Sequence, residues 1–150
     1  MDKYFHLVII SMAPLVELRG AMIYAAANDM PFLQSFICCV LGNMLPVPFL
    51  IKFSKGILLY LAKVDKIGWV FQKIIDRGNR KAEKIGGWEL LGLFLFVAVP
   101  LPGTGAWTAS LVSALLQLRI KKSLLAICAG VIACGIIMGA LSFGIANIIA

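Results

Sequence analysis

Two charged side chains, Glu17 and Arg19, stand inside the apolar segment Tyr4–Asn28, beside Pro14 and Gly20. An ionised group at the centre of a membrane-spanning helix costs about 2.5–3.5 kcal/mol on insertion scales. Residues two apart on a continuous helix also point to nearly opposite sides, so the two charges would not pair there. A broken helix eases both problems, because its tip can present both charges to one polar cavity. The segment is therefore expected to be a hairpin with its tip at Pro14–Gly20. Burial disfavours an ionised carboxylate and a neighbouring guanidinium favours it. A carboxylate held between these influences is a candidate proton or cation site, a role that falls to Glu17. The same pair could instead serve only to pin the hairpin tip.

A second break lies in the uncharged apolar run Leu90–Leu118, which contains Pro100-Leu101-Pro102-Gly103-Thr104-Gly105. Pro100 and Pro102 lack amide donors, and Gly103 and Gly105 favour non-helical backbone. Backbone groups freed by such a break cannot face lipid, so they must be buried in protein or line a wet cavity. The run reads as two half-helices that enter a membrane and leave on the same side. The half-helix starting near Thr104–Trp107 would aim unpaired amides and a partial positive charge at the midplane. With Arg19, those amides could hold an anionic group, and Thr104, Thr108 and Asn43 could add hydrogen bonds. Trp107 could stack on a lipophilic cation with Glu17 as counter-charge. The competing reading is that these groups only satisfy the broken backbone and that Trp107 packs.

Composition supplies the setting. Of 150 residues, 61% are hydrophobic, and the mean hydropathy is +0.97. Soluble domains are about half apolar, so the class is an all-α polytopic membrane protein forming one membrane domain over residues 1–150. A span takes about 20 apolar residues. Phe32–Ile51, continuing weakly to Leu61, is long enough, with a bend expected at Asn43–Pro48. Ser123–Ala150 is a second span, with Gly135 and Gly139 spaced for close helix packing. Between the halves 1–62 and 90–150 lies a connector, 63–89. There Val64, Ile67, Phe71, Ile74, Gly78, Ala82 and Ile85 recur at helical spacing among Lys66, Lys73, Arg77, Arg80, Lys81 and Lys84. It reads as an amphipathic interfacial helix, with Trp69 and Trp88 at the membrane surface; the plainer alternative is a solvated linker. Ala25-Ala26-Ala27 has the look of a signal-cleavage site, but Pro14, Glu17 and Arg19 interrupt the stretch before it, and the segment is expected to be retained.

Charge tests the topology. If all four apolar segments cross, the basic residues split ten against three. If the first and third are re-entrant hairpins, twelve share one face, Lys3 lies on the other and Arg19 is in the membrane. The positive-inside rule favours the second arrangement and makes the connector cytoplasmic. Each half is then a re-entrant helical hairpin followed by a transmembrane helix, in opposite orientation, with Pro14-Leu15 and Pro100-Leu101 at matching places. Interrupted apolar segments at matching positions point to an inverted-repeat transporter with its site at the midplane.

Other chemistries find no support. The net charge of +7 comes from residues flanking apolar segments, so no nucleic-acid partner is expected. Cys38, Cys39, Cys128 and Cys134 lie in apolar runs and His6 stands alone, which predicts free thiols, no metal and no cofactor. No nucleotide fingerprint or hydrolase arrangement is present, so the chain is not expected to be an enzyme.

At Glu17-Leu18-Arg19-Gly20-Ala21, Gly42-Asn43-Met44-Leu45-Pro46-Val47-Pro48-Phe49 and Phe96–Leu111, the sequence resembles the bacterial and archaeal small multidrug export proteins. That family looks distantly related to the DedA membrane proteins, also called the SNARE-associated or VTT superfamily. The pattern departs at Met22-Ile23, where the family often has a proline, and at Pro100–Trp107, which lacks the arginines of the DedA second hairpin. The resemblance implies re-entrant hairpins in an inverted repeat, a multi-pass protein of the bacterial or archaeal inner membrane, and, as for DedA-like proteins, proton-dependent movement of lipids together with drug and pH tolerance. The expected function is proton-coupled secondary transport of an amphipathic substrate by a homodimer in contact with membrane lipid. Its rivals are a flippase or scramblase of a phosphate-bearing lipid such as a polyprenyl phosphate, and a membrane scaffold or folding factor without transport. A further rival, a four-span multidrug antiporter of a different fold, would put Arg119–Lys122 and Arg77–Lys84 on opposite faces.

Overall fold

Prolines and glycines divide the apolar runs into helices. The computed structural model describes residues 2–63, 68–82 and 87–149; part of the connector, including Val64, Lys66, Ile67, Lys84 and Ile85, lies outside them. Among the described residues the chain is helical and has no strand: α1 (Asp2–Met12), α2 (Glu17–Ala27), α3 (Phe32–Met44), α4 (Val47–Leu61), α5 (Gly68–Ala82), α6 (Trp88–Ala98), α7 (Ala106–Leu115) and α8 (Ile120–Ile149). Two stretches among the described residues are long and apolar enough to cross a membrane, Phe32–Tyr60 and Ile120–Gly144. The first contains the α3–α4 joint, where Leu45 and Pro46 keep right-handed helical dihedrals. Pro46 and Pro48 remove two amide donors there.

The first break is shorter than the sequence suggests. Only residues 13–16 leave the helix, and Gly20 is not at the tip: its amide bonds Val16 O at 3.0 Å, inside α2. Pro14 alone breaks the chain, and Glu17 restarts the helix at a positive φ of 50°. The second break spans 99–105 and includes Pro100, Pro102, Gly103 and Gly105; Gly103, at φ 84°, occupies backbone space that other residues enter at a cost.

Small residues let the helices approach, as expected where lipid is as apolar as the side chains. α1 packs on α3 and α6 on α8, while α2 crosses to α8 and α7 crosses to α4. A Cβ on Gly42 would lie 2.7 Å from Val8 O of α1, and one on Gly130 would lie 2.8 Å from Phe94 O of α6. Gly135 faces Phe36 and Leu18, and Gly139 faces Phe32, so this glycine pair is used for packing within the chain. Large apolar side chains such as Phe5, Leu33, Leu41, Phe49 and Phe53 point outward.

Burial repeats along the chain. In α2, residues 17, 18, 21, 22, 25 and 26 are buried; 88 residues later, 105, 106, 109, 110, 113 and 114 are buried. Both helices also end the same way. Met30 N–H bonds Ala25 O at 3.0 Å around Asp29, and Leu118 N–H bonds Ser113 O at 3.0 Å around Gln117. Asp29 and Gln117 have φ of 50° and 53°, the left-handed residue of a Schellman stop. A buried serine follows each stop, Ser35 and Ser123. Ser113 donates to Ser123 at 2.6 Å, but its counterpart 88 residues earlier is Ala25, and Ser35 Oγ has no partner among the described residues.

Candidate functional site

Every helix end leaves unpaired backbone groups. Here two breaks face each other, and each is satisfied by side chains from the other half. Glu17 opens α2 and is 6% exposed. Its carboxylate sits against the N-terminus of α7, where Trp107 N–H donates to Oε1 at 3.4 Å. Gly105 caps α7 with extended backbone and no side-chain cap of its own. A Cβ at Gly105 would collide with the Glu17 carboxylate, so glycine leaves the space that the acid fills. The acid thus meets the positive end of α7.

Arg19 goes to the opposite kind of end. Its guanidinium donates to Val99 O at 3.3 Å, to Leu101 O, to Thr104 O at 3.1 Å and to Thr104 Oγ1 at 3.0 Å. These acceptors lie just past α6, where carbonyls without helical donors carry partial negative charge. Thr104 Oγ1 shares its own proton between Val99 O and Leu101 O, each at 2.9 Å. Thr108 Oγ1 donates within the same tip, to Gly103 O at 2.8 Å and Gly105 O at 3.1 Å. Trp107 returns the favour to the first half: its indole N–H donates to Met12 O at 3.1 Å, at the end of α1.

Between the tips lies a crevice of about 500 Å³, within the usual range for small-molecule sites. It gathers Glu17, Arg19, Thr108, Pro14, Gly20, Pro100, Pro102, Gly103 and Gly105, together with Leu15, Val16 and Met138. Met138 of α8 carried no signal in the sequence, because one methionine in an apolar span resembles any other packing residue. Three expected ligand contacts lie elsewhere. Thr104 is bound up with Arg19, Trp107 with Met12, and Asn43 lines a separate small cavity behind Glu17. A larger concavity runs along one face of α4, past Phe49, Phe53 and Tyr60, and contains none of these residues. The four cysteines are free, and no cluster among the described residues could hold a metal ion.

Fold and site together define an all-helical membrane protein with broken helices meeting over a crevice that holds one acid and one base. Residues 17–137 match the family described as putative small multi-drug export protein, and the chain belongs to that family. Comparison with curated proteins and with solved structures found no match.

Proposed function

We propose that this chain exports a lipophilic cation in exchange for protons, with Glu17 as the group for which both compete. The observation that carries this reading is the division of labour between the two charges. Arg19 Nη1 and Nη2 donate to four oxygens of the second tip, and Glu17 occupies the α7 amide end. Both anion-binding groups are thus engaged within the protein, which weighs against a phosphate-bearing lipid as substrate. The crevice that Glu17 lines is otherwise mostly apolar. A carboxylate in an apolar crevice suits an amphipathic cation, because desolvated opposite charges attract strongly.

In this reading α1–α2 and α6–α7 are re-entrant hairpins, and α3–α4 and α8 are spans, forming an inverted repeat. Its support is the burial register at 88 residues, the shared Schellman stops and the matched glycine contacts of Gly42 and Gly130. The connector would lie on the cytoplasmic face of a bacterial or archaeal inner membrane, and two copies would seal the crevice. One observation favours a second reading: capping two helix ends from across the molecule is also what a scaffold or folding factor would need from Glu17 and Arg19.

The deciding experiment is proton release from purified protein in lipid nanodiscs on adding tetraphenylphosphonium or a polyprenyl phosphate, with Glu17→Gln beside the parent. Release triggered by the cation and lost in Glu17→Gln is the expected result. Release triggered by the polyprenyl phosphate would favour a lipid flippase. No release with either, and a variant altered only in unfolding temperature, would favour the scaffold.

A further inference from the structure

Behind Glu17 there is a second, much smaller cavity. It shares Glu17, Arg19 and Gly105 with the crevice, and its remaining walls come from α2, α3, α6 and α8, including Leu18, Asn43 and Cys134. Its free volume is about 10 Å³, room for the centre of about one water molecule. Two of the side chains lining it carry buried polar atoms with no partner among the described residues: Arg19 Nε and Asn43 Oδ1. Asn43 is 3% exposed and Glu17 6%. A buried polar group without a partner costs about 1–3 kcal/mol, so two of them around one small cavity call for a common partner.

The donor and acceptor types define that partner. Arg19 Nε–H can only donate, Asn43 Oδ1 can only accept, and an ionised Glu17 can only accept. One molecule that accepts once and donates twice satisfies all three, and water does so. An alkali cation would satisfy the two acceptors but would be repelled by the guanidinium. A substrate-sized molecule does not fit. We infer that Glu17, Asn43 and Arg19 Nε hold one buried water, in a cavity separate from the crevice.

The water site stands without the export reading, but its functional meaning rests on it. Glu17 forms part of the wall between crevice and cavity. A substrate cation would reach the carboxylate from the crevice, while the water is its hydrogen-bond partner on the side of the small cavity. Asn43 is then a positioning residue that acts on Glu17 through water. Its neighbours add to the polarity of this region. Gly42 and Met44 carbonyls lose their helical donors to Pro46 and Pro48, four residues on.

The test uses the full chain in lipid nanodiscs, labelled with ¹⁵N in arginine alone. The sequence has four arginines, so four Nε–H signals are expected. Arg19→Lys assigns the one from Arg19. Magnetisation transfer from water to Arg19 Nε–H, together with slow exchange of that proton against deuterated buffer, is the expected result. Asn43→Leu should abolish the transfer, and Asn43→Ser, which keeps an acceptor, should retain it. Cys134→Val fills the cavity from the opposite wall and should abolish it as well, so the inference can be judged even if Asn43→Leu fails to fold. No transfer in the parent, or equal transfer in the parent and in folded Asn43→Leu or Cys134→Val, would overturn the inference. Tetraphenylphosphonium should shift the Glu17 carboxyl ¹³C signal in a separately labelled sample and leave the water transfer in place. Loss of the transfer on adding the cation would show crevice and cavity to be one space and overturn their separation. A cation that changes nothing at Glu17 would sink the export reading while the water site remained supported by the first arm.

Discussion

The helices that follow the two broken tips share one burial pattern and differ in chemistry. Along α2 and α7 the buried positions coincide at a spacing of 88 residues, yet Glu17 corresponds to Gly105 and Arg19 to Trp107. The first tip occupies residues 13–16 and is followed by two charges; the second occupies 99–105 and offers mostly bare backbone. Where one half has a carboxylate, the other has a residue with no side chain. Where one half has a guanidinium, the other has carbonyls turned toward it. The difference teaches that two helices with one burial pattern can frame a single asymmetric site: the pattern recurs, and a few unlike residues near the meeting point set the chemistry once.

The most damaging way to break this complementarity is to remove its cation. Arg19→Met would strip the second tip of its guanidinium donors and leave Glu17 without a nearby positive side chain. The expected loss is about 3–5 kcal/mol, the range for leaving a buried charge unpartnered, read as a fall in unfolding midpoint in nanodiscs. A smaller break comes from the glycine opposite the acid. Gly105→Ala should cost about 1–3 kcal/mol, as overpacking does, and should abolish cation-triggered proton release by displacing the carboxylate. Gly20→Ala is its control for stability alone, since Gly20 also lines the crevice. The added methyl meets only the Val16 side chain, which is half exposed, and alanine favours the helix by up to about 1 kcal/mol. Equal losses from the two glycine substitutions would contradict the special place given to Gly105.

Two milder substitutions sharpen the repeat. Ala25→Ser copies into the first half the hydroxyl that Ser113 offers Ser123, and should give Ser35 a partner. A gain of about 0.5–1.5 kcal/mol is expected; a loss would show that the halves are not matched closely enough for the pair to form. Asp29→Gly and Gln117→Gly relieve the same left-handed strain at the two stops. Each should stabilise by about 1 kcal/mol, and a response from only one would show that the stops are not equivalent.

Much of the architecture was legible because it is local. Runs of apolar residues announce membrane-length helices, and prolines stop helices by chemistry that needs no partner, so the breaks near Pro14 and at Pro100–Gly105 could be read directly. The spacing of Pro14 and Pro100 hinted at a repeat, but the register of buried positions could not be counted before the helices were packed. Gly20 misled for a related reason: glycine permits a break without requiring one, and α2 continues through it.

What the sequence determined by itself, then, is an all-helical membrane chain with two interrupted apolar segments and one acid and one base within the first. Only the tertiary structure decided what those charges meet. Arg19 bonds residues 80–85 positions away, Glu17 bonds the amide of Trp107, and Trp107 bonds Met12 across 95 positions. Asn43 lines the small cavity rather than the crevice. Helix breaks follow from the covalent chemistry of single residues. Which helix end receives which charge follows from how distant helices pack, and residue spacing does not carry that information.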